Sequence, residues 1–205
     1  MDKSLHLISD GDFSKRHVQI VKRIHGDIDY LHIREKNKSA KDILELIEVL
    51  KTSGLPLTKL IVNDRVDIAV MKQCAGVQLA YHSLAVSLVK NCFPTLLTGK
   101  SVHSLAEAEQ AQQEGADYLL YGHIYPSSSK PNQQPRGIAN LRQLSEELSV
   151  PVYAIGGITP DRTKEIIKSG ASGIAIMSGI WQAADPIQTV KAYLQVLNNR
   201  KEGGK

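Results

Sequence analysis

Cysteine is scarce, and the placement of the two present removes two classes of protein at once. Cys74 and Cys92 stand alone in 205 residues. They cannot make a disulfide framework and their spacing is no metal-binding pattern, so both are read as reduced structural thiols. No long apolar run exists either. The opening stretch MDKSLHLISDGD has charges on both sides of a five-residue apolar patch, too short for a signal peptide or a membrane span. A cytoplasmic protein without a membrane partner is expected. Low-complexity tracts are missing, so nothing resists packing. The net charge of +4 comes without a helix-turn-helix pattern or a basic stripe, its lysines and arginines being spread along the chain with several in the tail NNRKEGGK. That argues against a nucleic-acid partner.

What is there fits one globular domain. Hydrophobic residues make up 42% and charged residues 22%, the usual balance for a packed core, and 205 residues suffice for one α/β barrel. Residues 1–205 are read as that domain, with 196–205 a polar tail. Barrel proteins often pair through helices or loops, so a homodimer is held open.

Eight short runs, nearly continuous in apolar residues, read as buried parallel strands: 5–9, 30–34, 60–63, 76–80, 97–101, 117–122, 151–156 and 173–178. Between them lie amphipathic stretches with recognisable ends. After Ser39, Ile43, Leu46, Ile47 and Leu50 share one helical face before Gly54. Ser104 and Glu107 fit a capping box, Thr159-Pro160 and Asp185-Pro186 fit helix starts, and Gly115 and Gly170 sit where helices should end. Eight strand and helix pairs at about 25 residues each predict a (β/α)8 TIM barrel. An open doubly wound sheet is the alternative, against which the even spacing argues.

In a barrel, chemistry belongs where strands give way to loops on the carboxyl side. After the seventh and eighth strands come IGGITP and MSGIW, whose Gly156, Gly157, Ser178 and Gly179 let backbone N–H groups approach an anion, a phosphate site in expectation. Glycines that merely relieve turn strain are the other reading of either loop taken alone. Arg34 and Lys36 end the second strand, where the arginine would grip a carboxylate through two parallel hydrogen bonds; for Lys36 and Lys38 a solvated cluster stays open. Asn63 and Asp64 end the third strand, thin support for magnesium, and Asp67 is read as a surface residue. The hydroxyl of Ser101 serves either substrate or loop, and His103 is read as structural. The polar segment 126–137 is long enough to be a lid. His123 follows the sixth strand directly. Spacing leaves open whether it is an acid-base group or a polar residue at a strand end.

Together, LHIREKNKSA, IVNDRVDIA, GVQL, SVHSLAEAE, GADYLLYGHIYPSSSK, AIGGITPDR and GASGIAIMSGIW resemble, in order over about 170 residues, the thiamin phosphate synthase superfamily. The resemblance implies the barrel, a thiazole phosphate held after strands seven and eight, and Lys130, which ends PSSSK, among the substrate-binding residues. The acids that follow GVHLG in a synthase, and help bind magnesium diphosphate, are replaced by AYHS. The Gly-His pair and HIRE are similar to the thiazole tautomerase branch. On that likeness the expected function is an isomerase: His123 moves a proton to aromatise a thiazole carboxylate phosphate bound by Arg34, with no metal or redox cofactor. The alternatives are a magnesium-dependent synthase that couples a pyrimidine diphosphate to thiazole phosphate, and a regulator that binds thiazole phosphates without turnover.

Overall fold

Short apolar runs bounded by glycine and proline become strands, and longer amphipathic ones become helices that cover them. A computed structural model describes residues 3–127 and 129–198. The strands are β1 (Ser4–Ile8), β2 (Tyr30–Ile33), β3 (Leu60–Asn63), β4 (Gly76–Leu79), β5 (Leu97–Val102), β6 (Tyr118–Gly122), β7 (Val152–Ile155) and β8 (Gly173–Ile176). All pair in parallel with their sequence neighbours, and β1 pairs with β8, so the expected (β/α)8 barrel closes. The helices are α1 (Lys15–Ile24), α2 (Ala40–Thr52), α3 (Val66–Met71), α4 (Val86–Cys92), α5 (Leu105–Gln113), α6 (Gly137–Glu147), α7 (Pro160–Lys168), α8 (Ser178–Trp181) and α9 (Pro186–Asn198).

The helix signals hold with two changes. Ser39 and Asp42 make a full capping box on α2: Ser39 Oγ accepts the Asp42 N–H and Asp42 Oδ2 accepts the Ser39 N–H. On α5 only half of the box forms. Ser104 Oγ accepts from Glu107 N, but the Glu107 carboxylate accepts from His103 N at 2.7 Å, one residue further back. Thr159 caps α7 with its carbonyl rather than its side chain, whereas Asp185 Oδ1 accepts the N–H groups of Ile187 and Gln188. α9 runs through Asn198 with Leu197 buried, so the expected polar tail starts later than 196, and 199–205 lie outside the described residues.

Two cores result. The larger lies between barrel and helices, and the smaller fills the barrel with Ile8, Ile61, Tyr118, Leu120 and Ala175. Barrel interiors are usually layered with branched aliphatic side chains. Here the floor is aromatic and polar: the His6 ring lies 5.0 Å from Tyr30, 5.7 Å from Tyr118 and 4.3 Å from Tyr153, and its Nδ1 is 3.0 Å from His32 Nε2. Gly99 makes room for this. A Cβ there would lie 2.2 Å from Tyr118 Cζ and 2.5 Å from Gln78 Oε1. Gly99→Ala should therefore overpack the barrel and cost about 1–3 kcal/mol in denaturant unfolding.

Burial holds both buried histidines neutral. His6 is pushed well below the usual imidazole value by desolvation and by the charge His32 would carry, and desolvation takes His32 down to about 3. The unfolded chain takes up protons on both from about pH 6.5 downward while the folded barrel refuses them. Their contribution is complete above pH 6.5 and is lost as pH falls toward 3, by up to about 1.4 kcal/mol per pH unit for each histidine. Chemical denaturation from pH 7 to pH 4 should show this slope, and His32→Gln should make it shallower.

Candidate active site

Barrel closure brings the carboxyl ends of all eight strands around one opening, and the loops there enclose a cavity of about 840 Å³. Each of the ten candidate residues lines it. Arg34 leaves β2 with its N–H donating to Ser9 Oγ at 2.7 Å. Asn63 ends β3, and Asp64 follows in the left-handed region at φ 67°, its N–H held by the Gln78 carbonyl at 2.9 Å. That uncommon conformation belongs to few residue types, asparagine and aspartate foremost. It sets Asp64 at the rim, 3.8 Å from His82 Nε2. Ser101 Oγ accepts from Gln78 Nε2 at 3.0 Å, while Gln78 Oε1 and Asn63 Oδ1 are buried without a partner.

On the opposite side, Gly156 and Gly157 adopt φ 98° and 66°. A Cβ on Gly156 would lie 2.2 Å from His123 Cβ, and one on Gly157 would lie 2.5 Å from the Pro126 carbonyl oxygen. Only glycine allows the turn after β7 to lie against the loop after β6. Arg162 Nη1 donates to the Gly157 carbonyl at 2.7 Å, and its guanidinium stacks 4.6 Å from the Tyr125 ring centre. β8 ends at Ile176, two residues before the expected end of the strand, and Ser178 and Gly179 open α8. Trp181 fastens this turn by donating its indole N–H to the Ile8 carbonyl at 2.6 Å.

His123 is 5% exposed and lines the cavity. Its Nε2 lies 3.2 Å from the carbonyl of Gln133, which can only accept, so this nitrogen carries the proton. The long loop is thereby seated by three contacts, the others being Arg136 N to His123 O and Gly137 N to Ile124 O. Pro126, Ser127, Ser129 and Lys130 of that loop line the mouth. Lys130 titrates below the ordinary lysine value because of burial, with Arg136 and Arg34 adding repulsion.

Several lining residues carried no expectation: Gln78, Arg65, His82 and Arg162. Gln78 points into the barrel from mid-strand, a placement readable from strand alternation once the register is known. Asp67 meets the expectation of a surface residue, in a two-bond pair with Arg65. His103, read as structural, donates Nδ1–H to the Gly122 carbonyl at 2.7 Å and also lines the cavity.

Residues 5–180 match the family model described as thiamine monophosphate synthase. Thiamine-phosphate synthase of Caldivirga maquilingensis is 35% identical over 95% of this chain and 97% of its own, and that of Chloroflexus aurantiacus is 34% identical over 96% and 93%. The structure titled thiamine phosphate pyrophosphorylase from Pyrococcus furiosus superposes with a TM-score of 0.84, 31% identity and 96% coverage of each chain. These relatives overturn the isomerase expected from the Gly-His pair, because they are named as synthases, which are transferases. The histidine behind that expectation has Nε2 3.2 Å from a loop carbonyl and its Cβ beside Gly156. The chain belongs to the thiamine monophosphate synthase family.

Proposed function

We propose that the protein is a thiamine-phosphate synthase, a transferase that joins a pyrimidine diphosphate to a thiazole phosphate. The observation that carries this reading is the similarity to synthases along nearly the whole chain, joined to a cavity with anion-binding features on opposite walls. Gly156, Gly157, Ser178 and Gly179 would take the thiazole phosphate. Arg34, Lys36 and Lys130 would take the diphosphate, with Asn63 and Ser101 toward the rings.

In the reaction, the thiazole ring nitrogen forms a bond to the carbon that bears the diphosphate. The carbon–oxygen bond breaks and diphosphate leaves with the electron pair. No group on the protein needs to donate or accept a proton at the reacting atoms. Catalysis then consists of holding the two rings in line and stabilising the charge that grows on the leaving group.

The family likeness brings magnesium with it, and the residues present do not fit that ion. A magnesium diphosphate normally leans on one or two carboxylates. Among the described residues lining the cavity, the acids are the buried Glu35 and, on the rim, Asp64, and β4 runs into Ala80, Tyr81 and His82 without another. Among the described residues no group of three His, Cys, Asp or Glu side chains could hold a metal ion.

Incubation with pyrimidine diphosphate and thiazole phosphate, with and without magnesium, should release diphosphate and thiamine phosphate in equal amounts; absence of both products in both media rejects the assignment. His123 acts here as a positioning residue for the loop. His123→Ala should raise KM for both substrates about tenfold, the loss of roughly one good hydrogen bond, with kcat changed much less. An equal fall in kcat with unchanged KM would show that the ring contributes to the transition state instead.

A further inference from the structure

The charge lining the cavity is unbalanced. Six lysine and arginine side chains face it against two carboxylates, Glu35 and Asp64. Glu35 is buried behind β2, where it accepts the Phe13 N–H at 3.2 Å and lies 3.6 Å from Lys38 Nζ. Both contacts fall on Oε2, and Oε1 is buried without a partner, away from the open mouth. Asp64 has the His82 imidazole 3.8 Å away on the side where the family resemblance leads one to expect another acid. A hard cation such as magnesium selects oxygen ligands, so an imidazole is a poor replacement.

The cations present the opposite picture. Among the described residues, no ion pair joins Arg34, Lys36 or Lys130 to a carboxylate. The loop after β6 carries Lys130 to the mouth, where burial, followed by repulsion from Arg136 and from Arg34 after β2, lowers the lysine's affinity for its proton. Like charges gathered in a partly enclosed cavity, where they outnumber the acids, are stabilised when a multiply charged anion arrives. A fork and two point charges suit a group with several phosphate oxygens.

We propose that this chain holds the diphosphate of its substrate directly on Arg34, Lys36 and Lys130, with no divalent cation between protein and ligand. The identity of that substrate rests on the synthase reading; the binding of diphosphate does not. When the carbon–oxygen bond breaks, the departing diphosphate gains one negative charge among groups already positioned around it, and no ion need be recruited.

The test is calorimetric titration of inorganic diphosphate into the full-length protein, once with EDTA and once with excess magnesium. Affinity in EDTA should equal or exceed that in magnesium, since the ion competes with the side chains for the ligand. Lys36→Gln and Lys130→Gln should each weaken binding in EDTA by about tenfold, the range for loss of one charge-assisted contact. His82→Asp places an acid beside Asp64 and should make binding tighter with magnesium than without. Binding that requires magnesium in the unaltered protein, lysine variants that bind as well as the parent in EDTA, or no binding in either medium would each overturn the proposal. Because the probe is diphosphate alone, intact binding without coupling of the two substrates counts against the synthase reading and leaves this one standing.

Discussion

The pairing of β1 with β8 is the contact on which the site depends. Four residue pairs, from Ser4 with Gly173 to Leu7 with Ile176, convert a sheet with two edges into a ring. Gly173 is what permits the approach, because a Cβ there would fall 2.1 Å from the Ser4 carbonyl oxygen. Closure removes exposed edges and also directs every strand's carboxyl end toward one opening. Residues separated by more than a hundred positions in the chain, such as Arg34 and Gly157, thereby come to line a single cavity. Without the ring, each of those loops would be an ordinary surface turn.

Positive charge concentrated at that opening is the second constraint. The net charge of the whole chain is +4, and an excess of the same size lines the cavity. Sequence order hid this, since the contributing lysines and arginines come from four different strand ends, those of β2, β3, β6 and β7. The even spread of basic residues along the chain says nothing about their convergence in space.

Element type was readable because it rests on local periodicity: all eight strands and the caps at Ser39 and Asp185 follow from residues a few positions apart. Strand ends were less so. The eighth strand was expected to reach Ser178, whereas α8 begins there, because a run of small and apolar residues suits either state. The polar floor was not readable at all. His6 and His32 each look like a polar residue interrupting an apolar run, and only the register of β1 on β2 puts their rings in contact. His123 shows the limit most plainly: its position at the rim was legible, but the role drawn from the Gly-His pair was set aside by the names of the relatives, and the carbonyl that engages it lies ten residues away in a loop without periodicity.

Trp181 gives the molecule a built-in reporter. The chain holds no second indole, and this one is buried, bonded to the end of β1, and part of the same short turn that presents Ser178 and Gly179 to the cavity. Its emission therefore arises from one defined place at the rim, so an anion settling on that turn has an optical signature that needs no label.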